Sequence, residues 1–389
     1  MPYTTSQFIR RQLLRLILNG DHSPTQMLPS IGSLAKTFKV STATVQKAIH
    51  SLTEQGLIDA RPGSGLFVKP FQRNASKGGG RIALLHPDKG SYLKGYPYPG
   101  QVIDALRGEL EPAGFTLVPW SLEKPETLVL QESLRKMKLS GLALFEIDND
   151  CLISELRELC VPMVSLDFDA YRHGISSVIF DNPLGCFQAT KHLMDMGHRH
   201  IVFMKPLLKY DIYDNPFYDV IADRRLDGYR IAMQAGGPPV VVREYHNRAS
   251  EIQEIILELF SQDPVPTAFV CVGDWSARMI AEQLQVRGLE IPRDISIVGF
   301  GDIPGEFAPG RQITSVRVDY RDMGQSAGRL LLGALQGHGR AQRRVLATRL
   351  VPHESVGAPA AAGGAKPRLL AGTPVPAPGE TLARTLQDS

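Results

Sequence analysis

The chain has 389 residues, of which 43% are hydrophobic and 21% charged, and its formal net charge is +3. This length exceeds one ordinary domain, and the apolar content argues against a chain that is disordered throughout. The four cysteines show no CxxC spacing, which argues against a zinc cage or a disulfide framework. No apolar run reaches membrane-spanning length, and Arg10, Arg11 and Arg15 interrupt the first helix, unlike in a signal peptide. We therefore expect a cytoplasmic protein of two or three domains.

Positive charge is concentrated at the start of the chain. Residues 1–70 contain eight Lys/Arg and three Asp/Glu, a net charge of +5, so the remainder is slightly acidic. A basic head on a near-neutral body is typical of a polyanion-binding module that is joined to a second function. A solvated, mildly basic domain would carry the same charge, so charge alone leaves both alternatives open.

The first 70 residues show the pattern of three helices and a hairpin. Thr5 or Ser6 can cap the first helix, Ser30 the second, and Ser41 the third, which runs through TATVQKAIHSLTEQG. Two short strands then flank a Pro-Gly-Ser-Gly tip, which predicts a β-hairpin. This order predicts an α+β winged helix-turn-helix domain over residues 1–70.

The rest of the chain divides into a linker, a large body and a tail. Residues 71–80 are polar, Gly-rich and basic, which predicts a linker. Strand and helix patterns alternate over residues 81–356, which predicts an α/β domain of two lobes, each with a parallel sheet, and a cleft between them. Residues 357–389 are rich in Ala, Gly and Pro, which predicts a disordered low-complexity tail.

The head resembles the N-terminal domain of GntR-family bacterial regulators over LPSIGSLAKTFKVSTATVQKAIHSLTEQGLIDARPGSGLFV. The match lies in LPS, in the LA…VS…TV…A…L…GL framework, and in a G-x-G-x-x-V wing. The resemblance implies that the third helix enters the major groove of double-stranded DNA. The residues that it places at the DNA are Ser41, Thr42, Thr44, Gln46, Lys47, Arg61, Gly63 and Gly65.

Two positions of the third helix depart from the family pattern. Thr42 and Gln46 stand where the family commonly has arginines. Because Gln is a usual partner of adenine and a Thr methyl can pack on that of thymine, we expect a different, more A·T-rich operator. A degenerate helical domain that has lost DNA binding is the alternative.

The body is similar to the core of the lactose-repressor (LacI/GalR) family. The motifs DNPLGCFQATKHLMDMGHRHIVFM, RRLDGYRIAM, PTAFVCVGD, GLEIPRDISIVGFGD and ITSVRVDYRDMGQSAG match it in order and spacing. That core resembles periplasmic sugar-binding proteins, with two Rossmann-like lobes joined by crossing strands. A GntR-type head on such a body resembles the layout of the arabinose-repressor-like hybrid regulators.

Ligands of open α/β sheets bind beyond the carboxyl ends of the strands. The resemblance implies effector contacts at Asp167, Arg225 and Asp274, with Asp302 as the remaining carboxylate of its motif, and Tyr96, Tyr98 and His246 are further candidates in loops that follow strands. The three aromatic side chains could stack on a sugar ring or pack within their loops. Gly301 replaces an Asp that touches the effector in the family, so a larger effector, or one without the matching hydroxyl pair, is expected.

Three histidines lie close together in KHLMDMGHRHI, namely His192, His198 and His200. Similar Gly-His turns mark the passage from helix to strand across the LacI/GalR family. We therefore expect neither a metal nor a cofactor.

The resemblances imply a ligand-controlled transcriptional regulator, with repression as the expected sign. A homodimer would bind a near-palindromic operator at the nucleoid, and a small effector, expected to be a carbohydrate, would bind in the cleft. The alternative is a cytoplasmic sugar-binding protein without DNA function. An enzyme is not expected, because the sequence has no GxGxxG at a strand–helix turn, no P-loop and no nucleophile elbow.

Overall fold

The computed structural model divides the described residues into two compact units. The first unit contains the described residues within 1–88, 102–179 and 321–344, which comprise the head and most of the first lobe. The second unit contains the described residues within 89–101, 180–320 and 345–389, most of which form the second lobe. The structure describes residues 5–18, 27–54, 58–61, 63–68, 79–87, 97–122, 127–207, 220–246, 248–337, 340–359 and 369–370.

The head consists of three helices and a small antiparallel sheet. Its helices are α1 (Thr5–Leu18), α2 (Ile31–Phe38) and α3 (Thr42–Glu54), and its strands are β1 (Met27–Leu28), β2 (Ile58–Arg61) and β3 (Gly65–Val68), in the order β1-β3-β2. Ser30 caps α2 by accepting a hydrogen bond from the Ser33 amide at 3.2 Å. Ile9, Val45 and Leu52 lie in one core cluster with residues of the sheet. The predicted winged helix-turn-helix is therefore confirmed.

The first lobe is a six-stranded sheet in the order β16-β8-β7-β6-β4-β5. Strands β4 to β8 are parallel to one another, and β6 and β7 are buried along their whole length, as expected for a sheet with helices on both faces. The strands are β4 (Arg81–Pro87), β5 (Thr116–Leu122), β6 (Gly141–Phe145), β7 (Met163–Leu166), β8 (Ser176–Phe180) and β16 (Arg343–Leu346). The helices are α4 (Pro97–Leu110), α5 (Thr127–Lys136), α6 (Asp150–Leu156) and α11 (Tyr320–Leu335).

The second lobe repeats this plan with the strand order β10-β9-β11-β12-β15-β17. All neighbouring strands are parallel except β17, which runs antiparallel to β15. The strands are β9 (Ile201–Pro206), β10 (Val241–Tyr245), β11 (Ala268–Cys271), β12 (Ser296–Gly301), β15 (Thr314–Arg317) and β17 (Arg349–Val351), with a separate hairpin of β13 (Glu306–Ala308) and β14 (Arg311–Gln312). The helices are α7 (Asn182–Asp195), α8 (Val220–Gly236), α9 (Ala249–Ser261) and α10 (Asp274–Val286). Two α/β lobes with parallel sheets confirm the predicted fold class.

Part of the predicted tail is packed against the second lobe. The Gly357 carbonyl accepts hydrogen bonds from His198 Nε2 at 2.8 Å and Ser296 Oγ at 3.2 Å. Further on, the Leu370 amide donates to the Arg287 carbonyl at 2.9 Å. The expectation of a disordered tail is therefore wrong for these packed residues, because their backbone polar groups have partners. Residues 360–368 and 371–389 lie outside the described residues, as do residues 71–78 of the predicted linker.

Within the described part of the chain, every helix is too short or too polar to cross a bilayer.

Candidate DNA-reading surface and effector site

The start of α3 is fixed by two hydroxyl groups. The Thr44 amide donates to Ser41 Oγ at 3.2 Å, and the two side-chain oxygens lie 2.8 Å apart. This cap satisfies an amide that would otherwise lack a partner at the helix terminus. Ser41 and Thr44 therefore help to position the helix that the sequence places at the DNA.

The outer face of α3 is polar and free of core contacts. Thr42, Gln46 and Lys47 are exposed, whereas Val45 and Ile49 are buried in the core of the head. The helical period of 3.6 residues produces this division, because residues four apart lie on the same face. These three side chains can therefore reach base edges or phosphates in a groove.

The wing is a hairpin with two glycines at its tip. Gly63 and Gly65 have φ of +75° and +114°, a conformation that other residues rarely adopt. Behind the tip, Arg61 Nε lies 2.8 Å from Asp59 Oδ2, and its guanidinium lies 4.7 Å from the centre of the Phe67 ring. Arg61 is thus held against the wing with its charge partly compensated, so we expect it to contribute less to DNA binding than an unpaired arginine would.

Arg225 on α8 lies across the carboxyl ends of β11 and β12. Its Nε donates to Asn182 Oδ1 at 2.8 Å, and its Nη1 donates to the Val272 carbonyl at 2.5 Å. The guanidinium lies over the Phe300 ring at 3.7 Å from its centroid. Among the described residues, Nη2 has no hydrogen-bond partner and no carboxylate pairs with the guanidinium. Arg225 is therefore rigidly held and still has donors for a ligand.

Asp274 lies at the same edge but is turned inward. Its Oδ1 accepts from Ser315 Oγ at 2.6 Å, its Oδ2 accepts from the Ile303 amide at 2.7 Å, and it is 2% exposed. Burial raises the pKa of this carboxyl to about 6, although both hydrogen bonds act in the opposite direction. Neither oxygen faces solvent, so the geometry favours a role in holding the loop after β12 over the predicted contact with an effector.

Gly301 ends β12 and Asp302 follows it, and both residues have positive φ. Asp302 pairs with Arg317 and lies 3.3 Å from His353 Nε2, so both of its oxygens have partners within the lobe. Gly301 has φ of +124°, and a Cβ placed there would lie 2.9 Å from Tyr320 Oη. The backbone therefore requires glycine at this position, and the absent carboxylate is part of the loop geometry.

The other predicted contacts are spread over both lobes. Asp167 follows β7 of the first lobe, where it is buried with φ of +62°. His246 follows β10 of the second lobe, and its Nδ1 lies 3.1 Å from Glu251 Oε1. The side chains of Tyr96 and Tyr98 lie outside the described residues. Arg225, Asp274 and Asp302 are thus the candidates that the structure gathers at one sheet edge.

Lys205, at the carboxyl end of β9, was missed by sequence reasoning. Its Nζ lies 2.7 Å from Asp223 Oδ1 and 3.1 Å from Glu244 Oε1. Burial alone would lower the pKa of Lys205, but the two carboxylates outweigh it and raise that pKa. The strand register pairs Met204 with Cys271, so Lys205 and Val272, whose carbonyl accepts a hydrogen bond from Arg225, are the residues that follow this pair. The sequence signal that could have identified this residue is a lysine within the otherwise apolar run IVFMKP.

Within the histidine cluster of the sequence, His198 is held in the interior of the second lobe. His198 is buried, with Nδ1 2.9 Å from Thr267 Oγ1 and Nε2 2.8 Å from the Gly357 carbonyl. Burial lowers its pKa, which favours a neutral ring that donates through Nε2 and accepts at Nδ1. In the described part of the chain, no three His, Cys, Asp or Glu residues are grouped so as to hold a metal ion.

Both parts of the chain match known families. Residues 5–68 match the bacterial regulatory proteins of the gntR family, and residues 190–356 match the periplasmic binding protein-like domain. The chain is 28% identical over 348 residues to the arabinose metabolism transcriptional repressor of Geobacillus stearothermophilus, which covers 84% of this chain and 90% of that protein.

Solved structures show the same fold. The transcriptional regulator CelR in its cellobiose complex superimposes with a TM-score of 0.62 at 23% identity, covering 84% of this chain and all of that one. The lac repressor dimer bound to operator and the anti-inducer ONPF gives a TM-score of 0.60 at 22% identity, over 73% of this chain and 96% of that one.

Proposed function

We propose that this chain, which joins a GntR-type winged helix-turn-helix head to a periplasmic-binding-protein-like body of LacI type, is an effector-controlled transcriptional repressor. The observation that carries the proposal is the exposed polar face of α3 in a winged head that is fused to a two-lobed body. The relative from Geobacillus stearothermophilus, named an arabinose metabolism transcriptional repressor, matches 84% of this chain over 90% of its own length, which supports the proposal. In this proposal the protein catalyses no reaction and acts in the cytoplasm, at the nucleoid.

The head supplies sequence recognition and electrostatic attraction. Gln46 and Thr42 contact base edges, for which an amide and a methyl group favour A·T pairs. Lys47 contacts a phosphate, which adds affinity that is independent of sequence and falls as salt is raised. Two heads of a homodimer read a near-palindromic operator, because a two-fold protein axis requires matching half-sites.

The body supplies control by a small carbohydrate. Arg225 supports this assignment, because a planar guanidinium that is held on Phe300 can donate to two neighbouring hydroxyl groups. Asp274 and Asp302 act indirectly in this proposal, by fixing the loop after β12. Asp167 and His246 remain candidate contacts, each at the carboxyl end of a strand. Sugar binding stabilises one arrangement of the body and lowers affinity for the operator.

Two measurements test this proposal. Selection from random duplex DNA identifies the operator, and its affinity is then measured at several salt concentrations. A thermal-shift screen of mono- and oligosaccharides identifies the effector, since a ligand of the native state raises the melting temperature. A sequence-specific, salt-dependent affinity is expected. A head with no affinity for any duplex would contradict the proposal and favour a sugar-binding protein without DNA function.

A further inference from the structure

The head contacts the first lobe through a single-turn 3-10 helix, Arg157–Leu159, which follows α6. Arg10 on α1 places its Nη2 2.9 Å from Glu158 Oε2. The two side chains are only 13% and 16% exposed, so this ion pair is largely shielded from water. A shielded pair is more strongly coupled than a surface pair, because removing one partner leaves a buried charge.

The next residue of the lobe packs on the core of the head. Cys160 ends the 3-10 turn in a left-handed conformation, with φ of +56°. Its side chain packs against the cluster that contains Ile9 and Leu13 of α1, and its thiol donates to the Glu158 carbonyl at 3.5 Å. Burial raises the pKa of this thiol to about 11. Glu158 thus binds α1 through an ion pair, and Cys160, two residues later, packs against the apolar cluster that includes side chains of the same helix.

The docked face and the DNA-reading face of the head are different. Docking uses Arg10 and the packed core beside α1, whereas Thr42, Gln46 and Lys47 of α3 are exposed in the docked arrangement. The contact therefore leaves the reading helix accessible. A docked head can present α3 to a duplex without first leaving the lobe.

We propose that residues 157–160 form a mount that fixes the head on the first lobe, with the Arg10–Glu158 pair as its latch, and that the mount persists when DNA is bound. A Gly-rich connector alone would let the head take many orientations, and the mount selects one. Strand β7 begins at Met163 and ends beside Asp167, so the mount and a candidate effector contact lie at opposite ends of one buried strand. The inference that an effector bound at Asp167 would act on the head through this strand rests on the proposed function.

Cysteine labelling of the full chain tests the mount. Iodoacetamide labelling with peptide mass spectrometry gives a rate for each cysteine, and exposed Cys151 serves as the internal standard. Cys160 is expected to react about tenfold or more slowly than Cys151, since burial both shields the thiol and disfavours its thiolate. Equal rates for the two thiols in the unmodified protein would overturn the proposal.

Charge reversal tests the latch. Arg10→Glu and Glu158→Arg should each raise the Cys160 rate about tenfold, and the double variant should return it toward the original rate. Arg107→Glu, on an exposed ion pair of the same lobe, is the matched control and should leave it unchanged. Continued protection of buried Cys186 and Cys271 shows that the second lobe is folded in each variant, and renewed protection of Cys160 in the double variant shows that the two substitutions do not unfold the head or the first lobe. Single reversals without effect, or a double variant that stays exposed, would refute the latch.

Labelling with DNA present tests persistence. A random-sequence duplex is added at low salt until the protein is saturated, and the Cys160 rate is measured again. Continued protection supports the mount, and labelling at the Cys151 rate would overturn it. If no duplex binds, the proposed function fails, while the rates of the free protein still decide whether the mount exists.

Discussion

Replacing Asp274 with Asn should change how the stability of the protein depends on pH. Burial raises the pKa of this carboxyl from 3.8 to about 6, a difference that corresponds to about 3 kcal/mol. Between these two pH values the folded state therefore retains a proton that the unfolded state has released. The stabilising contribution is complete below the unfolded value of 3.8 and is lost as pH rises through about 6. An amide does not titrate in this range, so the variant lacks this contribution at every pH.

The stability of Asp274→Asn is best compared with that of the unmodified protein at two pH values. Urea unfolding at about pH 4 and about pH 7.5 should show the unmodified protein gaining about 2.4 kcal/mol over the variant on acidification, because most of the contribution has developed at the lower pH. At the higher pH the two should lie close together, because the variant loses an acceptor but no longer buries a charge. Glu254→Gln, an exposed carboxylate, is the control. An equal difference at both pH values would refute the assignment of a buried, titrating Asp274.

Three further substitutions separate the functions of the head and body. Lys47→Glu should weaken operator binding by about 1–3 kcal/mol and flatten its salt dependence. Lys136→Glu, which reverses the same charge at an exposed position of the first lobe, should do neither, as fluorescence anisotropy at two salt concentrations can show. Arg225→Ala should abolish the response to sugar and preserve operator affinity. Arg230→Ala, on the exposed face of the same helix, should keep both the sugar response and the operator affinity. Loss of operator affinity in Arg225→Ala would count against a role of Arg225 in effector binding. Gly301→Asp should destabilise the second lobe by about 1–3 kcal/mol, because it forces an unfavourable backbone conformation, and an unchanged urea midpoint would contradict the strain.

The architecture could be predicted because local patterns determine it. Ser30 and Ser41 were expected to cap α2 and α3, and both do so through their hydroxyl oxygens. The alternation of strands and helices predicted parallel sheets, since such units pack in few ways. The ordered part of the tail was missed, because a low-complexity composition does not show that the Gly357 carbonyl accepts a hydrogen bond from the distant His198.

The site was predicted less completely, because its chemistry depends on contacts between distant residues. The strand-end position of Asp274 suggested a ligand contact, but Ser315, which holds the carboxylate inward, lies 41 residues away. Arg225 was identified from its motif, whereas its neighbours Asn182 and Phe300 were not. The contact of the head with Glu158 has no local signal, since Arg10 and Glu158 lie far apart in the sequence and neither segment carries a pattern that pairs them.

The central claim is that sugar and operator act on the same equilibrium, and linkage gives its most direct test. The sugar that most raises the melting temperature is titrated by calorimetry into the free protein and into its operator complex. Binding energies are reciprocal, so a sugar that releases DNA must bind the complex more weakly, by about 5- to 150-fold for a typical coupling. Equal sugar affinities in the presence and absence of operator would contradict the account.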